Sequence, residues 1–120
     1  MSWPAVGAFG LAIAVMLGAF GAHGLRTRLD AYSLDIWQRA VFYQFMHAFG
    51  LLVAPLFRIS PRARTWVCWL LLAGIVLFCG SLYALALTGT RVLGAVTPFG
   101  GLSFIAAWIV LAIAILRAPK

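Results

Sequence analysis

Charge is what this sequence has least of. Only 9% of its 120 residues are Asp, Glu, Lys or Arg, and the acids are two, Asp30 and Asp35. With 65% hydrophobic residues, so little charge excludes a water-soluble domain, because a chain of this size cannot bury that much apolar surface away from water. Metal-ligating residues are equally scarce. Two histidines, two cysteines and two distant aspartates offer no ligand spacing, so no metal site is expected. Cys68 and Cys79 stand eleven residues apart on one apolar run, which on a straight helix is about 16 Å, too far for a disulfide. No Lys or Arg precedes the first apolar run. Ala19, Phe20 and Gly21 fit a small-x-small cleavage pattern, but the basic segment of a secretory signal is missing, so this run reads as a mature helix.

What the sequence has is length without charge. Residues 3–22, 40–57, 65–87 and 92–116 contain no Asp, Glu, Lys or Arg. Each run is near or above the roughly 18 residues that cross about 30 Å of hydrocarbon as a helix. The expected fold is therefore all-α: one integral membrane domain over residues 1–120, a bundle of four transmembrane helices. Between the first two, Leu25, Leu29, Tyr32 and Ile36 recur at helical spacing among polar residues, which predicts a short interfacial amphipathic helix or an extension of helix two. Asp35 precedes Arg39 by one turn, the favourable order for a local ion pair.

The net charge of +7 would suggest nucleic acid in a soluble protein. Here the cations sit in short connections, where they meet lipid headgroups, and no nucleic-acid partner is expected. Five Lys or Arg on the terminal side (Arg58, Arg62, Arg64, Arg117, Lys120) against four opposite (Arg26, Arg28, Arg39, Arg91) predict that both termini are cytoplasmic. Trp3, Trp66, Trp69 and Trp37 fall at aromatic-belt positions. Trp108 falls mid-span, a packing or partner-facing position.

Helix one carries Gly7, Gly10, Ala14, Gly18 and Gly21 on one narrow stripe, a surface that another helix can approach closely. Gly74 on span three and Gly100 on span four, each with further small residues, repeat the device, which predicts a compact bundle. "TPFGG" opens span four with Thr97 as expected N-cap and Pro98 as first helical residue, and "SPRAR" reads as a turn. Helix two differs. Tyr43, Gln44 and His47 bring hydrogen-bonding side chains into an apolar run, His47 about 15 Å deep, and a polar group there should face protein. Ser81 and Tyr83 reach comparable depth on an antiparallel third span, so Tyr43, Gln44, His47 and Ser81 form the best candidate cluster. His23, beside a glycine stop at Gly24, faces the headgroups near Arg91 and the start of span four. An axial offset of about 15 Å between the two histidines argues against a shared haem, and no cofactor is expected.

The stretches "GAFGAHGL", "WQRAVFYQFMHAFGLL", "LFCGSLYALALTGTRVLGAVTPFGG" and "AAW", in that order from Gly18 to Trp108, closely resemble the YgdD-like family of small bacterial inner-membrane proteins, a domain of unknown function with a mitochondrial transmembrane relative in animals. Cys79 stands where that family leads one to expect a serine or another small residue. The resemblance implies a multi-pass protein of the inner membrane without an established activity. It also implies that His23, Gly24, Tyr43, Gln44, His47, Ser81, Tyr83, Thr88, Gly89, Arg91, Thr97, Pro98, Gly100 and Gly101 are family features.

Three functions follow in decreasing order of support. The first is a non-enzymatic scaffold or accessory subunit whose smooth faces pack with further copies or with a larger membrane complex. The second is a small-ligand or lipid binder or carrier with His47 as its titrating group. The third, a lipid-modifying enzyme, lacks a nucleophile and an orienting carboxylate at workable spacing.

Overall fold

A computed structural model describes residues 2–119, in which helices are joined by short turns and connections, with no strand among the described residues. Helix α1 spans Trp3–His23 and α2 spans Ala31–Val53, followed by a 3-10 turn at Ala54–Leu56. Helix α3 (Pro61–Gly74), a π-helical turn (Ile75–Cys79) and α4 (Gly80–Thr88) run on as one rod of 28 residues. A 3-10 segment, Arg91–Ala95, leads into α5, Thr97–Arg117.

Each helix starts or stops for a local reason. Ser2 accepts from the Ala5 N–H and Ser60 from the Ala63 N–H, each ahead of a proline in the first helical turn. "SPRAR" is thus a cap and a first turn, not a loop. Asp30 caps α2 by accepting the Ser33 N–H at 2.8 Å, and this bond, followed by one from the Ser33 hydroxyl, holds its carboxyl below the usual carboxylate range. The 28-residue rod ends at Gly89, whose φ of 70° makes it the one described residue in the left-handed region and lets its N–H return to the Leu85 carbonyl. Gly24, expected to stop α1 in the same way, keeps a right-handed φ of −72°. The Phe20 ring occupies the space where a Cβ would project, so Gly24 serves clearance and not backbone reversal.

Three rods are long and apolar enough to cross a membrane: Trp3–His23, Pro61–Thr88 and Arg91–Arg117. Helix α2, with 23 residues, matches them in length but not in apolar content, since it carries Asp35, Arg39, Gln44 and His47. It is also the most enclosed. Nine of its residues are buried, against three of α1, and Gln44 and His47 are among them, so these two polar side chains point into protein. No separate interfacial helix lies between α1 and α2: residues 24–29 form turns, and from Ala31 the amphipathic stretch belongs to α2. Asp35 and Arg39 pair at 3.0 Å on the exposed start of α2, a contact worth about 0.3–0.5 kcal/mol.

Helix α1 packs chiefly on α2, and α5 chiefly on α3 and the π turn. The molecule measures 53 × 27 × 21 Å. Its core has two lobes, one around Trp37, Val41, Leu82 and Phe104, the other around Leu51, Val67, Leu71 and Leu111. On α2, His47 falls between them. Glycines set the helix spacing. A Cβ on Gly7 would lie 2.6 Å from the Leu52 nitrogen and 2.7 Å from the Ala48 carbonyl oxygen, both backbone atoms of α2. Gly74 and Gly100 form a reciprocal pair: the Phe104 ring of α5 fills the space over Gly74, and Phe78 of the π turn fills the space over Gly100.

Two alanine substitutions separate these roles. Gly7→Ala must push α1 off the α2 backbone and is expected to destabilise the fold by about 1–3 kcal/mol. Gly80→Ala meets nothing within 4 Å, so it should be neutral or stabilising by roughly 0.5–1 kcal/mol, the usual gain of alanine over glycine inside a helix. Equilibrium unfolding in mixed micelles measures both.

Candidate functional site

In an apolar surrounding each buried polar group needs a partner, and Gln44 and Trp37 of α2 find theirs on other helices. The Gln44 amide donates from Nε2 to the Gly10 carbonyl of α1 at 3.0 Å, and its Oε1 accepts the Tyr83 hydroxyl of α4 at 2.7 Å. One side chain thus ties three rods together. Gly10 permits this because α1 approaches so closely that a Cβ there would sit 3.0 Å from that of Ala48.

Two turns towards the start of α2, Trp37 does similar work. Its indole N–H donates to the Leu17 carbonyl at 2.9 Å, and its ring occupies the place a Cβ on Gly21 would take. Tyr83 meets the same indole edge-on, with ring centroids 4.7 Å apart. Trp37 is 3% exposed. The belt position expected for it is therefore corrected: the gap opened by Gly21 and a helix carbonyl within reach draw the indole inward instead of toward the headgroups. Trp66, by contrast, is largely exposed, and Trp3 meets Trp69 edge-on at 5.1 Å, joining the start of α1 to α3.

His47 is buried in an aromatic stack. Its ring lies 3.4 Å from Phe104, centroid to centroid and nearly parallel, with Tyr43 stacked at 6.0 Å and Trp108 tilted at 5.8 Å. Nδ1 lies 2.7 Å from the Tyr43 carbonyl, one turn back on α2. A carbonyl only accepts, so Nδ1 carries the hydrogen, and in the neutral ring Nε2 is then the acceptor. Among the described residues Nε2 has no hydrogen-bond partner.

Ser81 stands apart from this stack. Its hydroxyl reaches the Phe78 carbonyl at 3.0 Å and the Thr97 hydroxyl at 2.6 Å, joining α4 to the start of α5. Thr97 is thus the first residue of α5 and not its cap. Val96 precedes the helix without a side-chain bond, because the incoming 3-10 segment already supplies the preceding turn. The sequence-predicted residues fall into three groups: Gln44 with Tyr83, Tyr43 with His47, and Ser81 with Thr97.

His23 and Arg91 join none of these. Both are exposed; Arg91 lines a shallow cleft of about 350 Å³ with Tyr32, Leu85 and Gly94, and His23 does not. No three of His, Cys, Asp or Glu come together among the described residues. Cys68 and Cys79 are both buried free thiols. A second cleft, of about 600 Å³, lies at the opposite end of the bundle, between the connection before α3 and the end of α5. It shares no residue with the polar groups above.

Sequence reasoning missed Phe78 and Phe104, placed Trp37 at the headgroups, and read Ser103 only as a small packing residue. The Ser103 hydroxyl donates to the Leu70 carbonyl at 2.7 Å and fastens α5 to α3. A hydroxyl in mid-span was the available signal, and it reads equally well as a small packing residue. For Phe78 and Phe104 no sequence signal exists, because one phenylalanine in an apolar run is like any other.

Over residues 17–101 the chain matches the family described as "Protein of unknown function (DUF423)". It belongs to that family. A "UPF0382 membrane protein" of Staphylococcus epidermidis is 50% identical over 113 residues, 93% of each chain. The "UPF0382 membrane protein YwdK" of Bacillus subtilis is 44% identical over 115 residues, 93% of this chain and 94% of the relative. The "UPF0382 membrane protein SSP2132" of Staphylococcus saprophyticus is 48% identical over 109 residues, 90% of this chain and 91% of the relative. No solved structure matches. This DUF423 chain is accordingly a small helical membrane protein without an established activity.

The bridge from Gln44 to Tyr83 is open to a double-mutant cycle. Gln44→Leu, Tyr83→Phe and the double variant should show a coupling of about 0.6 kcal/mol, the average for hydrogen bonds between membrane helices, and of about 1.7 kcal/mol at most. Additive losses, read by steric trapping or denaturant unfolding, would mean that the two groups act separately.

Proposed function

We propose that this chain is a non-enzymatic scaffold or accessory subunit of the bacterial inner membrane, of the YgdD-like type that has a mitochondrial transmembrane relative in animals. In this reading α2 is a fourth crossing beside the three apolar rods, and both termini are cytoplasmic. The supporting observation is where the buried polar side chains go. Gln44, Trp37, Ser81, Tyr83 and Ser103 each find a partner on a neighbouring helix, so these groups are taken up in holding rods together. That use favours architecture over chemistry. The outward faces carry large apolar side chains, among them Phe9, Met16, Phe49, Leu102 and Ile105, which suit lipid, another copy of the chain or a larger complex.

A fourth crossing has physical support. At about 1.5 Å per residue, the 23 residues of α2 span roughly 35 Å, more than the hydrocarbon thickness. The meeting of Trp3 with Trp69, and the cleft between the connection before α3 and the end of α5, gather three chain segments at one end of the bundle. Those segments carry Arg58, Arg62, Arg64 and Arg117, which favours the cytoplasmic side for that end.

Extraction in mild detergent followed by native pull-down tests the scaffold. A stoichiometric partner, or a defined homo-oligomer, is the expected outcome; a chain recovered only as a monomer at membrane-like concentration would remove the reading.

One observation favours a second reading, a small-ligand or lipid binder: the unpartnered Nε2 of His47 inside an aromatic stack. It predicts a ligand-induced thermal shift that His47→Ala abolishes while the assembly stays intact.

A further inference from the structure

We propose that the cleft between the start of α3 and the end of α5 binds one anionic phospholipid, with Arg58 and Arg117 holding its phosphate and the α5 wall holding an acyl chain. The cleft has about 600 Å³, within the roughly 300–1,000 Å³ of small-molecule sites. Its lining is divided by depth. Val110, Ile113 and Ala114 on α5, with Ala63 on α3, make an apolar wall, and Arg117 closes the same face of α5 at its headgroup end. The α5 positions 110, 113, 114 and 117 follow helical spacing, so the cleft runs along one side of the helix for about 10 Å, from hydrocarbon to interface. An amphiphile with a charged head and an apolar tail fits that gradient. A free anion would leave the apolar wall unused.

The sign of the charge is set by what surrounds the two guanidiniums. The chain's only acids, Asp30 and Asp35, lie in and after the connection between α1 and α2, at the other end of the bundle. Arg58 and Arg117 make no hydrogen bond or ion pair among the described residues. Arg64, close by in sequence, turns back on its own connection: its Nη2 donates to the Ile59 carbonyl at 3.3 Å and, at 3.5 Å, to that of Phe57, while its buried Nε has no partner among the described residues. That contact steadies the connection bearing Arg58. Two exposed, unneutralised arginines at the lip of an apolar groove attract a phosphate, and planar guanidiniums bind it through paired N–H donors. Basic clefts between transmembrane helices are known lodging places for anionic headgroups.

The experiment delipidates the full chain in mild detergent, adds back equal phosphatidylglycerol and phosphatidylcholine, and counts retained lipid by native mass spectrometry. One phosphatidylglycerol per chain is expected in preference to phosphatidylcholine. Arg58→Gln with Arg117→Gln should lower that retention by about fivefold per arginine removed, whereas Arg26→Gln with Arg28→Gln, the same charge lost at the other end, should not. Ala114→Phe keeps both cations and fills the groove, and it too should expel the lipid. Both altered arginine pairs are exposed, so folding is expected to survive, and a monodisperse elution profile checks it. Equal loss from the two double variants would reduce the effect to bulk charge and overturn the proposal. Retention without headgroup preference would overturn it as well, as would competition by millimolar inorganic phosphate alone, which marks a simple anion site. A stoichiometric protein partner with no bound lipid would leave the scaffold reading standing and remove this one.

Discussion

The bond from Gln44 to both Gly10 and Tyr83 is the constraint on which the rest of the bundle depends. A primary amide in hydrocarbon must satisfy donor and acceptor together, and here the two lie on different helices. Meeting both at once fixes the rotation of α2, the height of α1 and the facing of α4. A rotation of α2 by a fraction of a turn would leave two polar groups stranded. The apolar contacts are more tolerant, since lipid solvates a leucine as well as a neighbouring leucine does. Polar pairing therefore supplies the uniqueness, and close packing supplies the attraction.

Glycine and aromatic side chains divide that packing between them. Where α1 meets α2 the backbones themselves touch, at Gly7, so dispersion contact is gained over the length of the helix pair. Where α5 meets the third rod the two glycines differ: the Phe104 ring fills the space at Gly74, while at Gly100 the backbone of Phe78 itself comes close. The missing Cβ thus serves two ends: a short backbone distance at Gly7 and Gly100, and a socket for a ring at Gly74. His47 sits where the ring-filled interface borders α2, which is why its surroundings are aromatic instead of polar.

Much of this was legible in the sequence, and the limit has a physical cause. Uncharged runs of crossing length announce rods, and hydrogen-bonding residues within one of them announce a face that avoids lipid. The stripe Gly7, Gly10, Ala14 announces a smooth surface but not its partner, because a smooth surface accepts many. Gln44, His47 and Ser81 were visible as polar residues at similar depth, yet depth is one coordinate, and their angular positions divide them among separate neighbours. Trp37 was misread for the same reason: distance from the helix end suggests a headgroup position, and only the hollow over Gly21 turns the indole inward. Thr97 obeys the rule for caps in composition and departs from it because a 3-10 turn already leads into the helix, which leaves its hydroxyl to Ser81.

The π turn at Ile75–Cys79 has a consequence for chain length. A π turn is a helix holding one residue more than its α-helical frame needs, and each residue turns the rod by about 100°. Take that residue away and everything beyond it rotates by more than a quarter circle: Tyr83 swings off Gln44, and the Ser81 hydroxyl leaves Thr97. The stretch around Phe78 can change its side chains within limits, but it behaves as a counted spacer. Its arithmetic, more than its chemistry, sets which way the far end of the rod looks.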